Sequence, residues 1–74
     1  MTYQDIITLI AIKAALAPSS ARLVAKHYYH CGVLRKDAWR GYTWTSERYM
    51  EAGAITRALS VASANAAARK EVPE

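Results

Sequence analysis

The chain has 74 residues, 53% of them hydrophobic, with ten Lys and Arg against six Asp and Glu and a single cysteine. That length allows one domain, which buries only about 60% of the surface its unfolded chain exposes, so a second copy or a partner would strengthen a marginal core. One cysteine excludes an internal disulfide framework, which favours a reducing, cytoplasmic compartment, and six scattered carboxylates with no pairing leave little from which to build an enzyme.

Thr2 followed three residues later by Asp5 is an N-cap signal, and the apolar residues after it predict helix 1 over 3–16. The run from Ile6 to Leu16 is broken only by Thr8 and Lys13. It is shorter than the roughly 20 residues that span a bilayer, so no membrane segment is expected. Asp5 stands where a secretory signal would carry positive charge, so no such signal is expected either. The stripes Ile6, Leu9, Ile10 and Ile7, Ile12, Leu16 leave helix 1 little polar face, which predicts cover on more than one side.

Pro18 disfavours helical geometry at Ala17, and Ser19 and Ser20 offer oxygens to exposed amides, so a sharp turn leads into helix 2 over 20–31. Ala21, Val24, Ala25 and Tyr28 recur at helical spacing as its core face, Arg22, Lys26, Tyr29 and His30 fall on another side, and Gly32 closes it in a left-handed cap. Residues 33–45 mix Gly41, threonines and alternating aromatics, and read as an irregular aromatic connector with a short extended piece. Thr45 or Ser46 with Glu47 predicts the start of helix 3 over 46–69, before Pro73. Ala54, Ala58, Ala62 and Ala66 repeat every fourth residue along it, a face that lets helices approach closely, and residues 70–74 read as a frayed tail. The expected fold is all-α: three helices and an aromatic connector, paired as a homodimer through helix 1 or the alanine face.

Between Arg22 and Tyr49 lie six of the seven aromatic residues, six of the ten basic residues and both histidines, opposed only by Asp37 and Glu47. The whole net charge of +4 therefore comes from this segment. Tyr, Trp and Arg dominate interface energetics. The favoured reading is a non-catalytic module that occludes an acidic or mixed protein surface through Trp39, Arg40, Tyr42, Trp44, Arg35 and Lys36. The alternative is a small basic DNA-binding regulator, with Arg22, Lys26 and His30 lining one face of helix 2 and helices 1 and 2 forming a helix-turn-helix in outline. Against it stand a turn without glycine, a modest charge excess and few Asn, Gln or Ser residues to read base edges. A purely structural reading has Trp39, Trp44, Tyr28 and Tyr49 completing a core that lacks phenylalanine.

His27, His30 and Cys31 fall short of the four ligands of a structural zinc site, so no metal or cofactor is expected, and Cys31 reads as a small buried apolar residue. The size and the lack of catalytic equipment are of the kind found in accessory proteins of phages and mobile elements. That comparison of style rests on no particular residue.

Overall fold

A computed structural model describes residues 1–68 of the chain; Arg69, where helix 3 is expected to end, and the tail 70–74 lie outside the described residues. The order is α1 (Tyr3–Ala14), α2 (Pro18–Cys31), β1 (Leu34–Asp37), β2 (Gly41–Trp44), a 3-10 turn (Glu47–Met50) and α3 (Ala52–Ala68). The protein is thus mostly helical with a small two-stranded sheet, which corrects the all-α expectation.

Thr2 caps α1 reciprocally: its hydroxyl accepts from the Asp5 amide and the Asp5 carboxylate accepts from the Thr2 amide, both at 3.1 Å. The helix stops at Ala14, two residues earlier than expected, because Ala15 takes a left-handed conformation with φ 54° and ψ 50°. The Leu16 amide then folds back to donate to the Ala11 carbonyl at 2.9 Å. α2 starts two residues early, with Pro18 in its first turn, where its missing N–H costs nothing. Gly32, φ 85°, closes it as expected.

The connector is an ordered hairpin rather than an irregular segment. Leu34 pairs with Trp44, Arg35 with Thr43, Lys36 with Tyr42 and Asp37 with Gly41, antiparallel. Asp37 opens the reversal, its Oδ1 accepting from the Trp39 amide at 2.7 Å and the Arg40 amide at 3.1 Å. Gly41 ends it at φ 76°, and a Cβ there would lie 2.9 Å from the Met1 nitrogen. This is the asparagine- or aspartate-led turn with a left-handed glycine that three-residue hairpin loops demand.

The expected start of helix 3 at residue 46 is also corrected. Ser46 does accept from the Arg48 amide at 3.4 Å, but it caps the 3-10 turn, which drops Met50 into the core. Glu51 is extended, φ −82° and ψ 151°, and α3 begins only after it.

Ile6, Ile7 and Ile10 of α1, the four predicted residues of α2, Val33, Leu34, Met50, Ile55 and Ala58 form one buried cluster. Each fully buried large apolar side chain contributes about 1.5–3 kcal/mol, so these few residues carry most of the fold. Ala58 and Ala62 are buried and Ala54 and Ala66 half-buried, so the alanine face is spent inside the chain, where α3 packs on α2. It is not free to pair with a second copy. The second stripe of α1 divides: Ile7 is buried, Leu16 is half-buried and Ile12 is 73% exposed.

Candidate functional site

Across Ala15, Leu16 and Ala17 the chain direction turns by 114° between α1 and α2. Two short helices crossing at about 90–120° over a three- or four-residue turn are the outline of a helix-turn-helix. Such a turn needs a left-handed residue, and Ala15 supplies the conformation without being glycine. The Cβ makes that conformation cost about 1–2 kcal/mol, which the burial of Ile10, Ala21 and Val24 in the two flanking helices offsets. On the outside of α2, Ser19, Arg22, Leu23, Lys26 and His30 face solvent, and residues 18–31 contain no carboxylate.

The exposed side of α2 has different neighbours along its two edges. Tyr29, two turns after Arg22, meets Tyr42 of β2 edge to face with ring centroids 6.1 Å apart, and Tyr42 in turn meets Tyr3 of α1 at 5.2 Å. The Lys36 ammonium lies 5.8 Å from the Tyr42 ring centroid. Burial and the neighbouring Tyr42 raise the pKa of Tyr3, and the positive charge of Arg22 works against them. Arg22 and Lys36 therefore flank one aromatic cluster that ties the hairpin to both helices. Lys26 and His30 border a different groove, between α2 and the Ala62 and Asn65 positions of α3.

The hairpin divides the expected protein-binding residues among three places. Leu34, Lys36, Tyr42 and Trp44 share one face through their cross-strand pairs, and buried Leu34 turns that face toward the core. Tyr42 and Trp44 are consequently half-buried, and the Trp44 indole N–H donates to Glu47 Oε2 at 2.8 Å. Arg35 and Thr43 lie on the opposite face. Trp39 and Arg40 occupy the apex, where Trp39 is 94% exposed. Its backbone is held all the same, since the bonds that Asp37 accepts fix the turn and keep that carboxyl below the usual carboxylate range.

Tyr28 and Tyr49 belong to the fold: the Tyr28 hydroxyl donates to the Tyr49 carbonyl at 2.6 Å, and their rings meet edge to face at 6.1 Å. Cys31 is exposed, not buried as expected, because it ends α2 on the side away from the core, with its Sγ 3.6 Å from His27 Nε2. Among the described residues no three His, Cys, Asp or Glu side chains come together as a metal site, and no helix is long and apolar enough to cross a membrane. Sequence reasoning missed Tyr3 and Tyr29 as neighbours of the hairpin, since nothing in their spacing predicts which face Tyr42 would meet. No protein-family model, curated protein or solved structure matches this chain.

Proposed function

We propose that this chain is a small, non-catalytic DNA-binding regulator that sets the exposed side of α2 against a duplex and lays the β1–β2 hairpin beside it. The observation that carries this reading is the α1–α2 unit: a 114° turn through left-handed Ala15 into a helix with Arg22 and Lys26 outside and no carboxylate. Helices of this geometry enter the major groove, and a two-stranded ribbon with a basic apex is a second established way of reaching DNA. Arg35, Lys36 and Arg40 are all exposed, and the one carboxylate of the hairpin, Asp37, is engaged by the turn. A cytoplasmic location suits this reading, because Cys31 carries an exposed free thiol. A homodimer would match a two-fold symmetric site, with Ile12, 73% exposed on α1, as the apolar residue available to it.

The test is fluorescence anisotropy of a labelled duplex. Arg22→Ala and Lys26→Ala are each expected to weaken binding and to reduce the slope of log K against log salt by about one. Absence of binding at about 50 mM salt would sink the proposal.

A second reading, occlusion of an acidic or mixed protein surface, is favoured by Trp39, since a tryptophan presented at 94% exposure on a fixed turn is the anchor type that interface hot spots use. It requires Trp39→Ala with Arg40→Ala to abolish capture of a partner while the circular dichroism spectrum stays the same. Tyr42 and Trp44, half-buried against the core, contribute to it as supports of the turn rather than as anchors.

A further inference from the structure

A groove of about 420 Å³ runs between the hairpin apex and the start of α1, walled by Trp39, Tyr3 and Tyr42 and bordered by Lys36 and Arg40. Its lining includes no carboxylate. Every other aromatic ring of the described chain has a partner: Tyr3, Tyr29 and Tyr42 meet one another, Tyr28 meets Tyr49, and Trp44 bonds Glu47. Trp39 alone makes no such contact, yet its backbone is pinned by Asp37. A flat unsatisfied ring on a fixed turn, with two cations beside it and the one neighbouring carboxylate, Asp37, turned in to the Trp39 and Arg40 amides, matches the chemistry of a nucleotide: a base with a π-face joined to phosphates.

We infer that this groove takes one unpaired base, stacked on the Trp39 indole, with Lys36 and Arg40 on the flanking phosphates. The inference rests on the reading that the partner is nucleic acid, and it adds that the chain favours DNA in which a base is already out of the stack. An intact duplex hides its π-faces, and extruding a base costs a few kcal/mol, so the groove discriminates in favour of bulged or single-stranded sites. Base–aromatic stacking of this kind is sequence-tolerant, so no base preference is expected from Trp39 itself.

The experiment compares an intact duplex of about 20 base pairs with the same duplex carrying one unpaired thymine, using wild type, Trp39→Ala, Trp39→Phe and Arg22→Ala. Wild type should bind the bulged duplex about fivefold or more tightly than the intact one, the lower end of what one stack supplies. Trp39→Ala should erase that preference while intact duplex still binds, and Trp39→Phe should retain part of it. In Trp44→Phe protein, where Trp39 is the sole tryptophan, the bulged duplex should quench the fluorescence. Should that variant misfold, the wild-type minus Trp39→Ala difference spectrum reports the same event. Equal affinities for both duplexes, or a Trp39 emission that bound DNA leaves unaltered, overturns the inference. If intact duplex still binds and Arg22→Ala weakens it, the regulator reading survives that result. No binding of either duplex overturns both, as would a Trp39-dependent complex formed only with protein.

Discussion

Ala15 holds a backbone conformation that its Cβ opposes, at φ 54° on an exposed turn. Replacing it by glycine removes that opposition at a position already left-handed, while the unfolded chain gains some freedom. The first effect is about 1–2 kcal/mol and the second about 0.5–1 kcal/mol, so the balance favours the variant. Ala15→Gly is expected to stabilise the protein by about 0.5–1 kcal/mol, seen as a higher urea midpoint with unchanged slope. Tyr28 makes the opposite kind of contribution, tied to pH. Burial and then the neighbouring Tyr49 raise its pKa above the usual tyrosine value, against the pull of Arg57. The unfolded chain therefore loses the phenolic proton first as pH rises. Below about pH 10 the stabilisation is fully present, and it is lost as pH climbs through the folded-state value. Urea midpoints should accordingly fall above about pH 10, and Tyr28→Phe should flatten that fall. The variant also loses the bond to the Tyr49 carbonyl, at about 0.5–1.5 kcal/mol near neutrality.

The alanine ladder of α3 shows how an element can be chosen for closeness rather than for apolar area. Ala58 is buried against the α2 side of the core, whereas Ala64 is exposed on the other side of the same helix. Ala58→Leu is expected to cost about 1–3 kcal/mol by forcing α3 off α2, and Ala64→Leu to stay within about 0.5 kcal/mol; thermal melts of the two variants make the comparison. This is also where the legibility of the chain differs between elements. The core face of α2 was readable because four apolar residues at helical spacing meet one neighbour, and the caps at Thr2 and Gly32 are local chemistry that no tertiary contact had to complete. The hairpin was not readable as such, because strands of four residues give too few alternations, and the face toward the core carries Lys36 beside Leu34. The start of α3 was misplaced because Ser46 is an equally good cap for a 3-10 turn, and only the burial of Met50 decides between them. At the candidate site the cations were visible in sequence, but their grouping was not. Arg22 acts on Tyr3 and Lys36 lies by Tyr42, two rings that meet only because of how the hairpin docks on α1 and α2.

At the scale of the whole molecule, charge and dimensions act together. Residues 18–44 carry five Lys and Arg against one carboxylate, and that carboxylate is bound to the hairpin turn. The described chain is 36 Å along its longest axis, close to the roughly 34 Å of one turn of duplex. Salt dependence then separates two modes of engagement by magnitude. If Arg22, Lys26, Arg35, Lys36 and Arg40 all reach phosphates, log K falls against log salt with a slope of about −4.5. Affinity then drops about 500-fold between about 50 and 200 mM. If α2 binds alone through Arg22 and Lys26, the slope is about −1.8 and the drop about 12-fold. The tie between Tyr42 and both helices favours the first mode, because the hairpin cannot swing away from α2 without breaking the aromatic cluster. The expected result is the steep slope in wild-type protein, reduced by about one for each of Arg35→Ala, Lys36→Ala and Arg40→Ala. A shallow slope unaffected by those three substitutions would confine the DNA contact to α2 and free the hairpin for a different partner.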